Sequence, residues 1–233
     1  MFKASKYTKN FSKLLAATSF ALCALCFTFP MTAFAEEAEG ISFDGLKPVD
    51  DGVVYMAYID PEADFSVFKR VMILDPFVSF TSDWQRDQNR NRRRNIRASD
   101  MERIKTDTAN LFRDIFTEQL EAAGYEIVNQ ADYDVLLLRP AIIDLNISAP
   151  DLRTAGRSTT FTDTAGAATL YVELFDSVSG TIIGRAADRK AARNSRGNLS
   201  WSNRVTNRQE ATRMFRGWAD TLVAFLDKHY TKK

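Results

Sequence analysis

Behind Ser99, the side chains Ile104, Leu111, Phe112, Ile115, Phe116, Leu120 and Ala123 recur at helical spacing, with Arg103, Lys105, Asp107, Arg113 and Glu118 between them. That spacing gathers the apolar groups into one stripe, and a one-striped helix needs a second surface to cover. Gly124 suits the left-handed residue that ends such a helix. Ser99-Asp100-Met101-Glu102 reads as its capping box, hydroxyl and carboxylate satisfying each other's unpaired amides. A second stretch has the same period: Ala211, Met214, Phe215, Trp218, Leu222, Phe225 and Leu226. It follows another capping signature, Asn207-Arg208-Gln209-Glu210, and runs to about Tyr230.

Between and before these helices the pattern is that of strands. Residues 52–59 carry Val53, Val54, Tyr55, Met56, Tyr58 and Ile59 before Asp60-Pro61 stops the run. Residues 68–80 contain Val71-Met72-Ile73-Leu74, but Pro76 has no amide to donate, so an edge, a bulge or two separate pieces is expected there. Residues 125–128 read as a short strand, and 132–147 as a long one broken by Pro140. Leu170, Val172 and Leu174 alternate with Thr169, Tyr171, Glu173 and Phe175; a turn at 176–180 and a further run at 181–187 complete a hairpin. Residues 156–166, rich in Ser, Thr and Gly, read as the loop feeding it. The order predicts an α+β fold: a mixed, largely antiparallel sheet with two amphipathic helices on one face.

The N-terminus reads as an address. Lys3, Lys6, Lys9 and Lys13 precede an apolar stretch at 14–29, then Pro30 and the small-residue site Ala33-Phe34-Ala35. This is the layout of a cleavable secretory signal over residues 1–35. Residues 36–50 read as an acidic, flexible lead-in, and 51–231 as a single domain. Both cysteines, Cys23 and Cys26, fall within the leader, so thiol catalysis and thiolate metal sites are not expected beyond it. Leu22 and Leu25 stand where a lipidation site requires a small residue. Without the leader, 27 basic residues face 30 acids, a mildly negative total that gives no case for nucleic acid. No later run approaches membrane-spanning length. The expected location is the periplasm, with secretion as the alternative.

Several stretches carry a resemblance. Tyr58-Ile59-Asp60-Pro61-Glu62-Ala63-Asp64-Phe65 with residues 68–76, and Leu138-Arg139-Pro140-Ala141-Ile142-Ile143-Asp144-Leu145-Asn146-Ile147, are similar to a bacterial envelope family, domain of unknown function 3313. So are the hairpin at 172–180, Ala187-Asp188-Arg189, and Phe215-Arg216-Gly217-Trp218-Ala219. The resemblance covers roughly residues 44–230. Many members of that family are classed as lipoproteins, whereas this chain lacks a lipidation cysteine. The resemblance implies an envelope protein and brings no catalytic residues.

The chemistry-bearing residues narrow the functional choices. His229 is the only histidine and lies where chains fray, a poor position for a rigid nucleophile system. No metal-binding, nucleotide-binding or nucleophile-elbow motif occurs, so no cofactor or metal is expected. Asp60, Asp75, Asp83, Asp132, Asp134 and Asp144 sit at strand ends or beside aromatics; a pair of them would support the alternative of an envelope hydrolase using Asp/Glu acid-base pairs. Charge segregation is the sharper feature. Residues 36–64 hold nine acids and one lysine, and residues 86–97 hold six arginines and one acid. The planar guanidinium forks of Arg90, Arg92, Arg93, Arg94 and Arg97, beside Trp84, match carboxylate and phosphate. The expected partner is an anionic envelope component (wall glycopeptide, lipopolysaccharide or acidic lipid) or an envelope protein. A solvated loop paired with the acidic lead-in is the plainer reading of the same charges. The expectation is therefore a non-enzymatic binding or assembly module with an arginine-rich contact segment.

Overall fold

The computed structural model describes residues 42, 44–50, 52–90, 95–147, 160–162, 164–193, 200–202 and 204–229. In chain order the strands are β1 (Lys47–Pro48), β2 (Met56–Ile59), β3 (Arg70–Ile73), β4 (Phe77–Phe80), β5 (Glu126–Ile127), β6 (Val135–Ile147), β7 (Thr160–Thr162), β8 (Thr164–Asp176), β9 (Ile182–Arg193) and β10 (Ser200–Ser202). The helices are α1 (Trp84–Asn89), α2 (Ala98–Ala122) and α3 (Arg204–His229). A mixed sheet of eight strands runs β1-β2-β9-β8-β6-β3-β5, with β4 also paired to β6; β7 and β10 form a separate two-stranded pair. The fold is α+β, and the sheet is mostly antiparallel.

β6 organises the sheet because it is apolar on its core face and pairs on both sides. It runs antiparallel to β8 and parallel to β3 and β4. The expected interruption at Pro76 falls between β3 and β4, two pieces lying end to end along one edge of β6. Pro140 does not break β6, for a reason in the register. Leu138 turns its carbonyl to the amide of Leu74, so strand alternation aims the donor position of Pro140 to the same side. There the neighbouring chain has its own break around Pro76, and no ladder bond is lost.

Leu136, Leu138, Pro140 and Ile142 face the core, but Leu145 and Ile147 do so from odd positions. The parity changes at a bulge, where Asp144 has φ 53 and the register with β8 shifts between Ile143 and Asn146. Gly166 makes the close approach possible, since a Cβ there would stand 2.7 Å from the Asn146 carbonyl oxygen.

α2 and α3 lie against each other and against the same face of the sheet. Phe112, Phe116, Leu120, Phe215, Trp218 and Leu226 join Leu136, Leu138, Leu170, Val172 and Leu174 in one buried cluster. Phe112 stacks on Phe116 (3.9 Å between centroids) and meets Phe215 edge-on at 5.6 Å. α2 ends as expected: Gly124 has φ +94, and the amides of Gly124 and Tyr125 return to Glu121 and Leu120.

Other expectations are corrected. α2 starts at Ala98, and the carboxylate that reaches back is Asp100, accepting the Arg97 amide at 3.1 Å; the Ser99–Glu102 box does not form the cap. α3 begins at Arg204, so Asn207 lies inside it. Within the expected lead-in, Leu46 is 1% exposed, Lys47–Pro48 pairs with β2, and Asp44 forms an ion pair with Arg185. The packed body therefore reaches further toward the N-terminus than residue 51. Of the expected loop at 156–166, Thr160–Thr162 and 164–166 are strand, and the rest lies outside the described residues. His229 is not a frayed surface residue: half-buried, it packs 4.5 Å from the Phe225 ring and 6.0 Å from Phe65.

Candidate functional site

The arginine-rich segment is anchored at both ends. Asp83 adopts a left-handed conformation (φ 61) that starts α1 abruptly after β4 and turns Trp84 inward. The Trp84 ring is 3% exposed, stacks on Phe80 at 4.2 Å, and donates its indole N–H to the Ile147 carbonyl at 3.2 Å. Its faces are consumed by the core, so it is not a stacking platform for a ligand. At the far end Ile96 is also buried. The Asn89 side chain ties the two ends together: its Oδ1 accepts the Ile96 amide at 2.7 Å and its Nδ2 donates to the Ile96 carbonyl at 3.2 Å. Gln85 Nε2 donates to that carbonyl at 2.8 Å. Both backbone groups of Ile96 are thereby satisfied by α1, as a strand neighbour would satisfy them.

Arg86, Arg90 and Arg97 are exposed around this clamp. Arg86 lies 3.0 Å from Asp83, and Arg90 lies 3.8 Å from Asp87. Exposed pairs of this kind contribute little to stability and leave the guanidinium forks accessible. Arg92, Arg93 and Arg94 lie outside the described residues.

A second feature was not foreseen. Between α3 and the core faces of β2, β9 and β8 is a cavity of about 270 Å³. Ala57, Ile59, Leu170, Val172, Leu174, Gly184 and Ala186 form its sheet wall; Trp218, Leu222 and Phe225 form its helix wall; Val49, Val53 and Val54 border it from the chain before β2. The space exists because β9 presents Gly184 and Ala186 opposite the aromatic stripe of α3. The facing partner of these small residues is not legible in the sequence. The polar residues on the lining include Asp188, which accepts the Trp218 indole N–H at 2.9 Å and pairs with Lys190 at 3.6 Å, and Lys228 near the C-terminal end of α3.

Of the six aspartates named as candidates, Asp132 and Asp134 are brought together, on the guanidinium of Arg70. The hydrogen bonds from Arg70 are the main reason that both carboxyls titrate below their usual range, assisted at Asp132 by the Tyr133 amide and opposed at Asp134 by partial burial. The pairing holds both as anions, whereas a general acid needs the opposite displacement. Asp60 accepts the Glu62 amide, Asp75 pairs with Arg113, Asp83 pairs with Arg86, and Asp144 lies 3.8 Å from Arg189. On the face of β8 turned away from the helices, burial and then a hydrogen bond to Glu173 push the Tyr171 hydroxyl up to about 12.

The Arg70 cluster carries a pH prediction. Carboxyls depressed in the folded state add stability above their unfolded pKa, and that stability is lost as pH falls through the folded value. The urea midpoint of the native protein is expected to exceed that of Arg70→Gln near neutral pH, with the gap closing below about pH 4. A gap unchanged into acid would show that the cluster is not the source.

The family model "Protein of unknown function (DUF3313)" matches residues 37–222. This chain belongs to that family. No curated protein is a significant match. Among solved structures, a DUF330 protein from Xanthomonas campestris is 10% identical, covering 72% of this chain and 90% of that one, with a TM-score of 0.43. A PelC dodecamer from Paraburkholderia phytofirmans is 14% identical over 64% of this chain and 85% of the other, with a TM-score of 0.35. A minor lipoprotein from Acinetobacter baumannii is 11% identical over 69% and 92%, with a TM-score of 0.31. No helix among the described residues is long and apolar enough to cross a membrane.

Proposed function

We propose that this DUF3313 member is an exported, periplasmic envelope protein that works by binding, its arginine segment making the contact with an anionic envelope component. The reading rests on the Asn89–Ile96 clamp, which fixes both ends of the segment between them to the folded body. A segment with anchored ends loses less entropy on meeting a ligand than a free tail does. Arg90 and Arg97 flank the segment and Arg92, Arg93 and Arg94 lie within it, so the partner is a polymer or surface carrying repeated carboxylates or phosphates. The leader and the family membership support the envelope as the place where it meets such a partner.

The test is capture on purified cell wall and on lipopolysaccharide, comparing the native protein with Arg92→Glu/Arg93→Glu/Arg94→Glu. The variant is expected to lose capture by roughly tenfold or more, and added salt is expected to weaken the native protein steeply. Equal capture by both proteins would remove the arginine segment from the function.

A further inference from the structure

We propose that the cavity beneath α3 holds a single alkyl chain with an anionic head at Lys228, the ligand being a free fatty acid. The proposal goes beyond the arginine-segment reading and uses none of its residues. The cavity wall is mostly apolar, with Leu222 and Phe225 contributed by α3 and Val172 and Ala186 by the sheet. Besides Lys228, its polar lining residues are Tyr58, Arg185, Asp188 and Thr221, and Arg185 is paired with Asp44. The Asp188 carboxylate is already engaged by the Trp218 indole and by Lys190, and the Thr221 hydroxyl donates to the Gly217 carbonyl within α3.

Lys228 is different. It lines the cavity, is exposed, and has no ion-pair partner among the described residues. Trp218 and Lys228 are ten residues apart on one helix, about 15 Å at the usual helical rise. The cavity therefore has an apolar lane with a neutralised acid near one end and an unpaired cation near the other. A volume of about 270 Å³ admits one alkyl chain. Burying an alkyl chain in such a space is favourable without any further polar contact, and the ammonium selects the sign of the head.

Calorimetric titration of protein purified without detergent tests this with dodecanoate and dodecyltrimethylammonium as probes. Dodecanoate is expected to bind at one site, the cationic amphiphile roughly fivefold more weakly or worse, and Lys228→Glu to reverse that preference. Ala186→Phe, which fills the lane, is expected to abolish binding. Absence of dodecanoate binding, equal affinity for the two probes, or undiminished binding by Ala186→Phe would overturn the proposal. Should Ala186→Phe fail to fold, Lys228→Glu decides alone, because its side chain is on the surface: unchanged preference there also overturns it.

Discussion

Replacing Trp84 by alanine is expected to lower folding stability by about 3–5 kcal/mol, the usual range for deleting a fully packed aromatic side chain. The residue looks like part of a binding face in the sequence, since it stands beside six arginines in an otherwise polar stretch. The structure uses it as the peg that holds α1 to the end of β6 through the Phe80 stack and the Ile147 carbonyl. Trp84→Phe separates the two contributions. It keeps most of the ring and leaves the carbonyl without its donor, a loss on the order of 1 kcal/mol. Denaturant midpoints with unchanged slopes would measure both. A stacking platform behaves in the opposite way, with capture falling while stability stays put; a change under about 0.5 kcal/mol for Trp84→Ala, normal for surface positions, would restore that role.

The long elements were legible because their periodicity and their burial agree. The stripe of α2 predicted the buried positions Ile104, Leu111, Phe112, Ile115, Phe116 and Leu120, and the alternation at 169–175 predicted which face of β8 is covered. The helix starts were misplaced. Ser99 and Asn207 satisfy the capping pattern, but the helices begin at Ala98 and Arg204, because a capping signature says only that an unpaired amide finds a side chain. At α2 that side chain is Asp100, at the same three-residue spacing but two positions earlier than Glu102. Pro140 marked a break that the strand does not have, since the cost of a missing amide depends on what lies opposite it.

Function was less legible than fold. The arginine run is visible in composition, whereas its clamp depends on Asn89 meeting Ile96 across seven positions, and an asparagine in a polar segment carries no such message. The cavity depends on Gly184 and Ala186 facing Trp218 and Phe225, a pairing between elements that only the packing of α3 on the sheet creates. The Asp132–Arg70–Asp134 cluster unites residues more than sixty positions apart. In each case the missing information was which surfaces meet.

Phe112→Ala is expected to cost a further large amount, about 3–5 kcal/mol, and for a reason that links the two helices to the cavity. Phe112 has no exposed surface; it stacks on Phe116 in its own helix and meets Phe215 of α3 edge-on, while Phe215 lies against Trp218 at 5.9 Å. Aromatic contacts of these geometries add about 0.5–1.5 kcal/mol beyond area alone, so the void cannot be closed by rotating one ring without disturbing the next. Phe116 and Trp218 both line the cavity, so loosening this chain of rings is also expected to weaken dodecanoate binding in molecules that remain folded. Tyr133→Ala is the control: that ring is 76% exposed, and its loss is expected to shift the urea midpoint by an amount equivalent to about 0.5 kcal/mol or less. Similar midpoints for Phe112→Ala and Tyr133→Ala would mean that α2 does not rest on the ring stack described here. A stability loss with undiminished binding would instead separate the stack from the cavity it borders.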